Sequence, residues 1–380
     1  MKKLTLYFPS LNGVRAIAAS MVIVHHIEMV KSEKGLSDYA LPGDFGSLGV
    51  TLFFVLSGFL ITYLLFAEQK ETQTINIKNF YIRRILRIWP LYYLILIISF
   101  FFFSQYLYPE GMVQLQKHYW IKFVLNVFML ANVSHACVGK IPLGSNLWSV
   151  GTEEQFYLLW PWLVKKFRSI WIPFLLGSMV ALGIVRVVLS HQVAVGELQG
   201  TVKIYYFVLQ FLNLFRIDCM AMGALGAWVL FFKKDTYLKV IFNPWVQAIV
   251  LLWCILSLFL GITYFDTLNH LVYAFLFAII ITNLAGNRQS LITLEFKILK
   301  FLGKISYGLY VYHFIAVVVV LKFITTYYSF KNSLFENGLL YLVVFSLSIG
   351  ISYLSYIFFE SPLLKWKNKF TSIVSGDAVK

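Results

Sequence analysis

The sequence predicts an all-α, polytopic integral membrane protein with about ten transmembrane helices and both termini in the cytoplasm. Three observations predict it. Of 380 residues, 59% are hydrophobic and only 13% charged, more apolar surface than a soluble chain of this length can hide. Ten apolar runs are long enough to cross a bilayer. The Lys and Arg residues gather in short clusters between those runs, predominantly on one side. The aromatic content of 18% suits lipid-facing surfaces and interfacial belts.

The runs fall at 13–30, 48–67, 85–106, 149–165, 171–190, 205–232, 244–262, 268–285, 301–323 and 338–359. The first carries Arg15 and the pair His25-His26 and has no small-residue cleavage site, so it is expected to persist as a helix and not to be a signal peptide. An eleventh candidate, 119–133, is short and interrupted by Lys122 and Asn126, and reads as a re-entrant or interfacial segment. With ten spans and an inner N-terminus, 21 of the 32 Lys and Arg fall on inner segments, eight on outer loops, and Arg15, Arg186 and Arg216 inside spans. Making 119–133 a full span would put the Lys165-Lys166-Arg168 cluster outside, against the positive-inside bias.

The net charge of +15 is thus an orientation signal, and nucleic-acid binding is set aside. Cys137, Cys219 and Cys254 have no metal-ligand spacing, and three cysteines cannot form a full disulfide set, so no metal is expected. No repeat divides the chain. Residues 1–362 form one transmembrane unit, and 363–380 a short basic cytoplasmic tail too short to fold alone. The chemistry must therefore lie in the membrane.

Ionisable groups inside spans cost free energy and mark candidate sites. Arg15 and His26 are eleven residues apart, about three turns, so they share one helical face with His26 about 16 Å nearer the outside. His25 points about 80° away. Taken singly, Arg15 is also explained by snorkelling to inner headgroups. Glu153 and Glu154, near the outer start of their helix, begin at about the depth of His26, where a carboxylate would raise its basicity and fix its tautomer. Two acids at a helix N-terminus, favoured by its dipole, are the plainer alternative. The cluster Arg83, Arg84 and Arg87 suits positive-inside anchoring or a phosphate site, with Arg84 and Arg87 on one face. His313 lies near mid-membrane among hydroxyls. Arg216 and Asp218 read equally as an ion pair or a site. No P-loop, G-x-S-x-G or H-E-x-x-H motif occurs.

Seven segments in order resemble the membrane acyltransferase type 3 family. They are L-N-G-V-R-A-I-A-A at 11–19 with its Arg-x10-His pairing, G-V-T-L-F-F-V-L-S-G-F-L-I at 49–61, and F-Y-I-R-R-I-L-R-I-W-P at 80–90. L-W-S-V-G-T-E-E-Q-F-Y-L-L-W-P at 147–161, R-I-D at 216–218, I-S-Y-G-L-Y-V-Y-H at 305–313 and F-E-S-P at 359–362 complete the series. Asn12 stands where the family usually has Asp, and Gly151-Thr152 where it has Ser-Val. Some members carry an extra-cytoplasmic SGNH-hydrolase-like domain, and this chain is expected to be the stand-alone form.

The resemblance implies a cell-membrane (inner-membrane) O-acyltransferase, commonly an O-acetyltransferase. Its donor would be cytoplasmic acyl-CoA and its acceptor an extracytoplasmic carbohydrate such as lipopolysaccharide O-antigen, exopolysaccharide or peptidoglycan. Arg15 and His26 fall on the family's essential pair, and Arg84 with Arg87 on its basic motif. The expected catalytic set is His26, Arg15, Glu153, Glu154 and His313, with Arg83, Arg84 and Arg87 holding the acyl-CoA. The competing class is a transporter or flippase with a proton relay, but the sequence has no repeat and no paired broken helices.

Overall fold

The computed structural model describes residues 4–36, 45–102, 109–167, 171–195, 201–262, 268–371 and 373–375. Lys2, Lys3 and Arg168 of the inner clusters and 376–380 of the tail lie outside them. The long helices are α1 (Leu11–Glu33), α2 (Phe45–Thr72) and α3 (Ile77–Ile97), then, after three short helices α4 (Pro109–Gln116), α5 (Tyr119–Val127) and α6 (Ala131–Cys137), α7 (Leu147–Phe167) and α8 (Trp171–Val195). There follow α9 (Thr201–Leu214) with α10 (Ile217–Phe231), α11 (Asp235–Ile241) with α12 (Pro244–Leu260), α13 (Asn269–Gly286), the short α14 (Lys297–Lys304), α15 (Ser306–Tyr327), α16 (Leu334–Ser355) and the short α17 (Ser361–Lys367).

Among the described residues, eight helices are long and apolar enough to cross a membrane, and the pair α11–α12, bent by 57°, is a ninth candidate. Helix α7 adds 21 residues, about 31 Å at 1.5 Å per residue, enough to span the hydrocarbon. It is less apolar than the others because Glu153, Glu154 and Gln155 interrupt it. These account for the ten predicted runs. The 119–133 segment becomes α5 and the start of α6, of nine and seven residues, neither long enough to cross.

Helix α2 is the hub, packing on α1, α7, α10 and α13. Small residues permit this. A Cβ at Gly58 would sit 1.9 Å from the Met220 carbonyl oxygen, and one at Gly223 1.9 Å from that of Val55, so α2 and α10 touch backbone to backbone. By contrast Leu342, Leu354 and Phe358 on the last span are 64%, 55% and 76% exposed, which in a bilayer means lipid-facing.

The ends are tied on one side. Leu4–Leu6 pairs in parallel with Ile373–Ser375, Leu4 opposite Ile373. Glu295, which begins the approach to α14, accepts from the Ser10 backbone N–H, the Tyr7 hydroxyl and Lys300. At the opposite end of α1, the buried Lys31 donates to Glu28 at 2.9 Å and to Asn337 at 2.7 Å, while the Tyr341 hydroxyl donates to Glu28 at 2.7 Å. That knot clamps α1 to α16 within two turns of His26.

One expected pairing is corrected. Asp218 is bound by the buried Arg186 of α8, with His270 Nε2 at 3.5 Å, whereas Arg216 donates to the Ser47 hydroxyl at 2.6 Å and the Asn213 carbonyl at 2.7 Å. Arg216 lies in the break between α9 and α10 and Asp218 inside α10, so the two side chains leave the span in different directions. Cys219 and Cys254 are buried, as packing residues would be.

Candidate active site

The outer half of α1 presents His26 to α15. His26 Nδ1 lies 2.9 Å from the Val22 carbonyl and 3.1 Å from His313 Nε2, and His313 Nδ1 lies 3.1 Å from the Leu309 carbonyl. A carbonyl can only accept, so both Nδ1 atoms carry the proton. His313 Nε2 is then a bare lone pair facing the His26 Nδ1–H. Two i−4 carbonyls therefore fix both tautomers, and the remaining lone pair of the dyad is on His26 Nε2. His25 meets His26 edge-on, 5.3 Å between centroids, and Phe314 closes another side at 5.3 Å.

Inward from the dyad runs a file of polar side chains. Tyr310, one turn below His313, shares a hydrogen bond with Ser149, and its backbone carbonyl accepts from Asn146. Four residues further along α7 comes Glu153, which accepts from the Tyr157 hydroxyl at 3.1 Å, and Glu154 accepts from Trp89 Nε1 at 3.0 Å. Tyr157 also bonds Ser57 of α2. Arg84 rests against the rings of Phe80 and Tyr157, each 5.8 Å from its guanidinium carbon.

The glutamates therefore do not orient His26. From His313 to Tyr310 is three residues and from Ser149 to Glu153 four, which places Glu153 about 10 Å inward of the dyad. There the pair faces Arg84, and Glu153 also faces Arg87. The neighbour of His26 is another imidazole.

Arg83 is also reassigned. It donates to Glu68 at 2.9 Å and to the Phe370 carbonyl at 2.8 Å, which ties the α2–α3 turn to the C-terminal segment and occupies its guanidinium. Arg87 makes no hydrogen bond among the described residues and lies in the field of Glu360 and Lys367. Lys367 in turn feels Arg87, Arg84, Arg83 and Arg15. Like charges converge there at the inner end of the file, the arrangement of an anion site. Arg15 donates to Asn12 at 2.6 Å, so the amide standing in place of Asp keeps the acceptor and drops the charge.

Sequence reasoning counted Lys367 only as an inner charge and gave Tyr157, Ser149 and Trp89 no role. Their presence inside a span was the available signal; their partners lie far along the chain. Among the described residues Asp218, Cys219 and His270 bring three ligand-type atoms within 4.8 Å, but Arg186 already neutralises that carboxylate.

The family described as the acyltransferase domain matches residues 8–357. The O-acetyltransferase OatA of Staphylococcus aureus (strain NCTC 8325 / PS 47) is 29% identical over 94% of this chain and 57% of its own length. The peptidoglycan O-acetyltransferase OatA of Listeria monocytogenes is 28% identical over 81% of this chain and 49% of its own. The chain thus spans about half the length of the curated relatives it matches. No solved structure matches it. With the match running from before α1 to within the last span, the chain belongs to the membrane acyltransferase type 3 family.

Proposed function

We propose that the chain is a cell-membrane O-acyltransferase that moves an acyl group, acetyl in the first instance, from cytoplasmic acyl-CoA to a hydroxyl of an extracytoplasmic glycan. The observation that carries this reading is His26, whose Nδ1 is committed to Val22 and His313 and whose Nε2 is left as a base. It lies on the same helix as Arg15, at the outer end of a polar file that begins among Arg84, Arg87 and Lys367. Two relatives named for O-acetyl transfer, one of them for peptidoglycan, put a peptidoglycan glycan first among the acceptors.

In this reading the donor phosphates engage Arg84, Arg87, Lys367 and Arg15, and the pantetheine arm enters the file towards the dyad. His26 Nε2 takes the proton of the acceptor hydroxyl as its oxygen attacks the thioester carbonyl. The C–S bond breaks, the ester forms, and the imidazolium returns its proton to the CoA thiolate. His313 Nε2 accepts from His26 Nδ1–H throughout and steadies the charged ring.

The test is purified protein in proteoliposomes with acyl-labelled CoA and a soluble peptidoglycan glycan. Label is expected on the glycan with wild type and not with His26→Gln. Equal transfer by His26→Gln at equal protein level removes the proposed base, and transfer by neither protein returns the transporter reading.

A further inference from the structure

Helix α14 takes no part in the polar file. Its eight residues, Lys297–Lys304, rise about 12 Å, too little to cross a bilayer, and at Ile305 the chain passes into the span α15. At 100° per residue Lys297, Lys300 and Lys304 fall within about 60° of one another, with Ile298, Leu299 and Leu302 on the opposite side. Leu302 leans on the bundle, whereas Ile298 is 72% and the preceding Phe296 62% exposed. A short helix with a lysine face and an uncovered apolar face lies in the plane of the membrane surface.

The helix is fastened to the inner end of α1. A Cβ at Gly303 would sit 2.0 Å from the Asn12 carbonyl oxygen, and one at Gly13 2.7 Å from that of Leu294, so the two segments meet backbone to backbone. The Leu294 N–H donates to Ser10 Oγ at 3.0 Å, and the next residue is Glu295, already tied to Ser10, Tyr7 and Lys300. Asn12, at the heart of this contact, is the residue that accepts from Arg15. Whatever holds α14 therefore holds the turn that carries Arg15.

The charge on this element is one-sided. From Arg288 to Lys304 four cations stand against one acid, and that acid, Glu295, is engaged by Lys300 at 2.6 Å. Lys297 and Lys304 are exposed, Lys304 with the Tyr356 ring 5.2 Å from its ammonium. Surplus positive charge above an apolar face complements a phospholipid whose headgroup is negative and whose chains lie beneath.

We propose that α14 is an anionic-phospholipid site of the inner leaflet, with Phe296 and Ile298 among the acyl chains, Lys297 and Lys304 on headgroup phosphates, and the bound lipid pinning the start of α1. The site stands apart from the acyl-transfer reading, since it needs neither donor nor acceptor. General positive-inside attraction would be shared by every inner lysine, including the exposed Lys365 and Lys369 of the C-terminal segment, whereas a site concentrates it on α14.

The experiment titrates the purified protein in neutral detergent micelles with phosphatidylglycerol, phosphatidylcholine or inorganic phosphate and reads the melting temperature. Wild type is expected to gain about 3 °C with phosphatidylglycerol at saturation, and little with the other two. A lysine near an anionic surface is worth about fivefold in affinity, so Lys297→Gln/Lys304→Gln should raise the phosphatidylglycerol midpoint about ten- to thirtyfold. Lys365→Gln/Lys369→Gln should keep it within about twofold. All four side chains are exposed, and melting without lipid checks that both variants are folded. An α14 variant with the wild-type midpoint, or a Lys365/Lys369 variant weakened as much as the α14 variant, overturns the site. Equal stabilisation by phosphatidylcholine would leave the lysines no role, and equal stabilisation by phosphate would leave the apolar face none. Either result, or a wild type that phosphatidylglycerol does not stabilise, overturns it as well.

Discussion

Removing His313 is the perturbation that separates the dyad from a lone base. In His313→Phe the ring volume is kept and the acceptor for His26 Nδ1–H is lost. That acceptor lies 3.1 Å away, and in the proposed transfer it would face an imidazolium. A hydrogen bond to a charged group contributes about 1.5–3 kcal/mol, and each 1.36 kcal/mol is tenfold in rate. The expected fall in kcat is therefore about ten- to 150-fold. The Val22 carbonyl, still 2.9 Å from Nδ1, keeps the tautomer, so activity is reduced and not abolished. His313→Gln, whose amide oxygen can accept, is expected to lose less than His313→Phe. The assay is initial-rate transfer from labelled acetyl-CoA to glycan at saturating substrates, at equal protein level. A His313→Phe enzyme with the wild-type kcat, alongside an inactive His26→Gln, would refute the imidazole pair and leave His26 acting alone.

Three further outcomes are expected. Replacing Arg84 and Arg87 together by Gln should raise the donor KM about tenfold or more, charge-assisted phosphate bonds being the strong ones; isothermal titration with CoA reads it, and an unaltered affinity contradicts the anion site. Gly58→Ala should cost about 1–3 kcal/mol, towards the upper end because the atom it meets is backbone; an unchanged melting temperature in detergent would contradict the close α2–α10 contact. His135 is held below the usual 6.5, first by burial and then by Lys140, so its contribution is full above pH 6.5 and is lost as pH falls towards 4. That amounts to about 3 kcal/mol at most. His135→Gln should flatten this part of the stability–pH curve, and an identical slope in the variant would contradict it.

Much of the fold was legible because a bilayer imposes length and hydropathy on every span independently. The ten runs and the failure of 119–133 to cross need no knowledge of what packs on what. The polar side chains were legible as candidates for the same reason, since lipid makes each one conspicuous. Their partners were not. His26 and His313 are 287 residues apart and meet because α1 packs on α15, which no local pattern encodes. Asp218 was set beside Arg216 by proximity in sequence, yet the helix break at Phe215 and Arg216 turns them apart and delivers Arg186 from another span. The glutamates were placed by counting from the start of α7, and they miss His26 because Asn146 and Ser149 already occupy the level of Tyr310. The three-residue strands Leu4–Leu6 and Ile373–Ser375 leave no periodicity to read, and form only because both chain ends emerge on one side.

The most direct measurement is sidedness. In proteoliposomes of uniform orientation, labelled acetyl-CoA is confined to the face bearing Arg84, Arg87 and Lys367, and the glycan to the face bearing Lys140. The account predicts ester-linked label on the glycan, abolished by His26→Gln and slowed by His313→Phe. Label that appears only when donor and glycan share one face would contradict it.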